Sequence, residues 1–123
     1  MKKWLVTILS AAAAGAVAAF LVWSYLDRAP GGLGNGHQAV LLSNGQVYYG
    51  KLTGLGTRFP VLTDVYYVQS AMDPQTRETK SVLVKRGKEW HGPDRMVLNG
   101  GQILLIEPVT AGSKVAELIR ASP

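Results

Sequence analysis

The densest group of chemically capable side chains runs Trp90-His91-Gly92-Pro93-Asp94-Arg95. A histidine and an aspartate three residues apart can act as an acid–base or orienting pair if a nucleophile or a second carboxylate stands beside them. Between Trp90 and Arg95 there is no serine, cysteine or second carboxylate. The plainer expectation is a turn in which Gly92-Pro93 sets the bend, Asp94 caps it and Trp90 plugs the end of a β structure. His37 is the only other histidine, so a metal site would need both histidines together with carboxylates from distant segments. Gly31-Gly32-Leu33-Gly34-Asn35-Gly36 lacks the preceding strand and following helix that a phosphate-cradling glycine loop requires. No catalytic, metal or cofactor-binding residues are expected, and Trp90, His91, Asp94 and Arg95 are candidates for contact with a partner.

Two further sets could bind rather than react. From Arg77 to Lys88 the five basic residues Arg77, Lys80, Lys85, Arg86 and Lys88 face a single acid, Glu78. Such a run suits anionic lipid headgroups or nucleic acid, and it is also what keeps a solvated hairpin edge soluble. Tyr48, Tyr49, Tyr66 and Tyr67 fall on successive strand-like segments, where they either pack across strands or form a stacking platform for single-stranded nucleic acid.

These residues must be positioned by a small domain. The chain has 123 residues, a formal net charge of +5 and no cysteine. That composition excludes disulfides, a thiolate nucleophile, cysteine-ligated zinc and a lipoprotein anchor, but it does not choose a compartment. Trp4 to Leu26 contains no charged residue. As a helix this stretch is roughly 34 Å long, enough to cross a hydrocarbon core of about 30 Å. Trp4 at one end and Trp23 with Tyr25 at the other sit at the level of an aromatic belt, and Ala11 to Ala19 offers a smooth face of small residues. Residues 1–28 are therefore expected to be an uncleaved signal anchor. A cleaved signal peptide releasing a secreted domain is the alternative, although cleavage after Ala18 would leave the apolar terminus Ala19-Phe20-Leu21-Val22-Trp23. Lys2 and Lys3 outweigh Arg28, so the amino terminus is expected in the cytoplasm and the domain outside. Residues 29–36 form a glycine-rich linker whose reach is on the order of 16 Å, which keeps the domain at residues 37–123 close to the bilayer.

The domain is organised around Gln38 to Leu52. Two runs of strand-forming residues meet at Asn44-Gly45, the dipeptide favoured by a two-residue type I′ turn. That turn pairs Leu42 with Val47, Leu41 with Tyr48 and Val40 with Tyr49. It sets Val40, Leu42, Val47 and Tyr49 on one face and Ala39, Leu41 and Tyr48 on the other. Neither face is made for water, so Leu41 and Tyr48 become candidate interaction residues. Further strands are expected at Val61–Gln69, Ser81–Arg86, Met96–Leu98 and Gln102–Val109, and Gly112-Ser113 is positioned to start a helix from Lys114 to Arg120.

Five or so short strands with glycine-rich turns describe a mainly β fold, a small barrel of the Sm-like or SH3-like kind behind a transmembrane helix, with a short C-terminal helix. The run Leu42-Ser43-Asn44-Gly45-Gln46-Val47-Tyr48-Tyr49-Gly50-Lys51-Leu52 resembles the first Sm motif. Val97-Leu98-Asn99-Gly100-Gly101-Gln102-Ile103 resembles the second, in the same chain order. Sm proteins that bind RNA carry Asp or Asn in the loop after the first hairpin and Arg before the glycine of the second motif. Here those places hold Gly56-Thr57-Arg58 and Asn99, so the resemblance implies a fold and not RNA binding. The layout as a whole resembles uncharacterised bacterial single-pass membrane proteins, which implies the bacterial inner membrane and no activity. The function expected from these readings is an extracytoplasmic protein-interaction or assembly module, an accessory subunit of a membrane complex with a protein partner or a second copy of itself. The alternative is an Sm-like nucleic-acid-binding domain facing the cytoplasm.

Overall fold

The computed structural model describes residues 2–26 and 33–123. The chain divides into two units, Met1–Pro30 and Gly31–Pro123. The first is a single helix, α1 (Lys2–Leu26). It is long and apolar enough to cross a membrane, and none of its span from Lys2 to Tyr25 is buried. A run of alanine, leucine and valine with no proline favours this helix, and its exposed apolar sides call for a solvent other than water. Asp27, Arg28 and the linker as far as Gly32 lie outside the described residues. Leu33 to Gly36 has no regular secondary structure and leads into the second unit.

That unit contains β1 (Gln38–Leu42), β2 (Val47–Thr53), β3 (Val61–Met72), β4 (Thr79–Lys85), β5 (Arg95–Val97), a 3-10 turn (Gly100–Gln102), β6 (Ile103–Pro108) and α2 (Lys114–Ala121). The strands form one antiparallel sheet in the order β4-β3-β2-β1-β6, with β5 also on β3. There are six strands among the described residues rather than five, because the short β5 pairs in its own right through Val61–Val97, Leu62–Met96 and Thr63–Arg95. β2 pairs with β3 from Val61 to Tyr66, whereas β4 pairs with it from Tyr66 to Met72. The opposite edge of β3 therefore carries β5 along its first half and β4 along its second.

The first hairpin forms where expected but in a register one residue away from the expected one. Ala39 pairs with Tyr49, Val40 with Tyr48 and Leu41 with Val47. Only Gly45 takes a positive φ, at 83°. Ser43 and Asn44 make an ordinary turn closed by Gly45 N–H donating to the Leu42 carbonyl at 2.9 Å, and Leu42 N–H donates to the Gln46 carbonyl at 2.9 Å. This is a three-residue loop with the glycine as a bulge. Two contacts favour it over the two-residue turn. Asn44 Oδ1 accepts from Gln46 N–H at 3.0 Å, and Ser43 N–H donates to the Gln102 carbonyl at 2.8 Å. A third segment, beyond the reach of local pattern reading, thus helps to set the register.

A one-residue slip exchanges the faces. Val40 is fully buried and forms the core with Leu62, Val65 and Leu98, against which Leu42, Tyr48, Leu52, Met96, Ile103 and Ile106 pack. Leu41 and Tyr48, expected together on the outer face, lie on opposite faces. The outer face carries Leu41, opposite Leu105 of β6, and Leu104 beside it is 64% exposed. Gly50 sits in β2 at the register shift against β3. A Cβ there would stand 3.0 Å from the Thr63 carbonyl oxygen and 3.2 Å from Leu62 Cδ2, so a larger residue requires β3 to give way by a few tenths of an ångström. Ser113 caps α2 by accepting from Ala116 N–H at 3.1 Å, as its sequence position implies.

Candidate functional site

Residues Thr63 to Tyr66 are built around an interruption of β3. Tyr49 pairs with Tyr66 and Lys51 with Thr63, so three steps on β3 match two on β2. The extra residue makes a bulge. Asp64 absorbs it with φ of 50°, a left-handed conformation that aspartate tolerates better than most residues. Its two carboxylate oxygens are both engaged, Oδ2 by His37 Nε2 at 2.9 Å and Oδ1 by Lys85 Nζ at 3.2 Å. Burial pushes the Asp64 carboxyl up, but the hydrogen bonds and charges of Lys85 and His37 outweigh it and hold the group below the ordinary aspartate value. The same bond from Asp64, with Tyr66 beside it, raises Lys85. The His37 ring meets Tyr66 edge-on at 5.9 Å. The cluster thereby ties the start of the domain to the middle of β3.

Two concavities flank this point, and Arg86 lines both. The smaller, about 280 Å3, lies where the edge of β3 passes from β5 to β4 and is lined by Asp64, Val65, Lys85, Arg86 and Pro93 to Met96. The larger, about 640 Å3, opens where β2 and β3 diverge beyond the Tyr49–Tyr66 pair. Gly45 to Tyr49 form one wall, Tyr67 and Val68 the other, and Arg86 and Glu89 the rim. Tyr48 and Tyr67 meet edge to face at 6.4 Å, Tyr48 Oη donates to Gln46 Oε1 at 2.7 Å, and the Arg86 guanidinium carbon stands 5.9 Å from the centre of the Tyr48 ring. No described strand covers the β2-side edge of β3 from Tyr67 to Met72.

The structure distributes the sequence candidates unevenly. Tyr48 lines the larger groove, while Asp94 and Arg95 line the smaller cleft together with Lys85 and Arg86. Leu41, Trp90, His91, Arg77, Lys80 and Lys88 line neither. Trp90 is fully exposed and plugs nothing; the buried apolar volume is supplied by aliphatic residues such as Leu62 and Leu98. Asp94 is 84% exposed and lies 3.9 Å from Arg95. The carboxylate that closes this loop is instead Glu89, which accepts from Gly87 N–H at 2.8 Å. That bond is the main reason its carboxyl is held below the usual glutamate range. The four tyrosines do not form one platform, since Tyr66 is buried at 4% exposure. Among the described residues, no group of three histidines, cysteines, aspartates or glutamates could hold a metal ion.

Sequence reading passed over Asp64, Val68 and Glu89, and took Tyr67 only as one of four tyrosines that pack across strands or stack on nucleic acid. A signal existed for one of them. An aspartate inside Val61-Leu62-Thr63-Asp64-Val65-Tyr66 is out of keeping with a regular strand and marks the bulge. Val68 carried none, because its exposure depends on where β2 leaves β3. No protein-family model matches the chain, and no curated protein matches it either.

Proposed function

We propose that the protein is a single-pass, membrane-anchored interaction module, an accessory or assembly subunit of a membrane complex rather than an enzyme. The observation that carries this reading is the groove of about 640 Å3 between Gly45–Tyr49 and Tyr67–Val68, which lies beside a strand edge with no described strand paired to it. Aromatic walls and unpaired backbone groups are what an extended segment of another protein uses when it adds to a sheet. The residues that bear on the partner are Tyr48, Tyr67 and Val68, with Arg86 and Glu89 at the rim. The outer apolar face at Leu41 and Leu104 offers a second, flatter contact.

The topology follows from charge. Lys2 and Lys3 precede the span, so the amino terminus is cytoplasmic and the domain faces the periplasm of a bacterial cell. The sheet is read as a small Sm-like or SH3-like barrel. Register shifts at Leu41/Leu42 and Tyr49/Lys51 and the 3-10 turn between β5 and β6 support the curvature that such a barrel needs.

The test is purification of the tagged full chain from gently solubilised membranes. A stoichiometric protein, either another chain or a second copy, is expected with the native sequence and is lost in Tyr67→Ala/Val68→Lys. Recovery of nucleic acid alone would overturn the reading in favour of a nucleic-acid-binding domain, if its affinity falls with salt at a log–log slope of about −0.7 per phosphate contact.

A further inference from the structure

The smaller cleft has a composition that interaction through the groove does not use. Three cations from two elements line it, Lys85 and Arg86 at the end of β4 and Arg95 at the start of β5. Two acids line it as well. Asp64 has both oxygens engaged, by His37 and Lys85, and Asp94 extends into solvent. The two guanidinium groups are poorly matched by acids. Arg86 Nε is buried without a hydrogen-bond partner, and its nearest carboxylate, Glu89, is at 3.8 Å, a charge contact but too long for a hydrogen bond. Arg95 is 62% exposed and its acid neighbour Asp94 stands 3.9 Å away. Neither guanidinium therefore has a close acceptor, and an oxyanion in the cleft that both residues line would supply one. A volume of about 280 Å3 falls below the range of about 300–1,000 Å3 usual for drug-sized ligands. It admits a small oxyanion, a group that arginine forks bind through paired N–H donors.

We infer that the cleft between the end of β4 and the start of β5 is a phosphate-group site, in which Arg86 and Arg95 supply the donor forks and Lys85 the point charge. The phosphate is either free or the headgroup of a membrane lipid. This site shares Arg86 with the proposed docking groove, and Arg95, which lines only the cleft, tells the two apart.

The experiment uses the full chain in nanodiscs. In neutral phosphatidylcholine discs, inorganic phosphate is titrated and binding is followed by calorimetry. In a second arm the discs contain phosphatidylglycerol, and broadening of its 31P resonance is compared between variants. Arg95→Gln is expected to weaken binding at least tenfold in one of the two arms, whereas Lys80→Gln and Arg77→Gln, which remove the same charge away from the cleft, change it less than twofold. Arg95→Lys should recover part of the loss. A response in the first arm assigns the site to free phosphate, and a response only in the second assigns it to the lipid. Equal losses for Arg95→Gln and Lys80→Gln, with native circular dichroism in both, would overturn the site and leave only diffuse charge. No binding in either arm would overturn it as well. Neither result bears on protein capture through Tyr67 and Val68, which is scored separately.

Discussion

Asp64 combines a left-handed backbone in the middle of β3 with ion pairs to His37 and Lys85. Its pKa in the folded chain lies below that of the unfolded chain. The contact therefore stabilises the domain above about pH 4, and that contribution disappears as pH falls through the folded value. Urea unfolding of the full chain in non-ionic detergent should show Asp64→Asn less stable than the native protein at pH 5, with the gap closing toward pH 2. A gap that stays constant over this range would mean that the ion pairs add nothing. Asparagine is the apt replacement because it also tolerates the left-handed backbone. At Gly50 the constraint is steric. Gly50→Ala puts a methyl 3.0 Å from the Thr63 carbonyl oxygen, and overpacking of this kind costs about 1–3 kcal/mol. The denaturation midpoint reads it, and an unchanged midpoint would show that β2 and β3 can move apart. The second glycine of the first Sm-like run was legible as a motif position. Its reason, the close approach of Thr63 and Leu62 of β3, exists only in three dimensions.

At the scale of elements, local chemistry identified the hairpin, the helix from Lys114 and its serine cap, because each rests on residues within a few positions of one another. The register was not legible. Asn44-Gly45 suggests a two-residue turn, but Ser43 is held by Gln102 of a segment nearly sixty residues on, and that tie favours the longer loop. The groove depends on the same information, since it opens where β2 stops pairing with β3. Leu62 and Val68 of β3 should therefore respond in opposite ways. Leu62 is fully buried, so Leu62→Ala is expected to cost about 2–5 kcal/mol of stability. Val68 is 47% exposed, so Val68→Lys should stay within about 0.5 kcal/mol of the native chain. Thermal unfolding of the two variants decides the point, and a large loss for Val68→Lys would make that side chain part of the core rather than a groove wall.

At the scale of the molecule, the charge-free stretch was the most legible feature, and the structure forms it as one helix, α1, exposed along its length. The full chain is expected to resist alkaline extraction from membranes. Its carboxyl terminus should be digested by protease added to spheroplasts, and protection while a known periplasmic domain is cut would reverse the proposed orientation. The basic run was legible as composition but not as a surface, for its members part company. Lys85 and Arg86 join the cleft, whereas Arg77 and Lys80 lie toward the far turn of the β3–β4 hairpin. The central claim is that the groove between β2 and β3 holds a partner. It is tested most directly by placing a photo-crosslinking residue at Val68, and in a parallel strain at Glu117 on α2, in cells making the full chain. One discrete adduct is expected from Val68 on illumination, abolished by Tyr67→Ala and not formed from Glu117. Equal adduct patterns from the two positions, or none from Val68 in a chain that remains folded and membrane-bound, would contradict it.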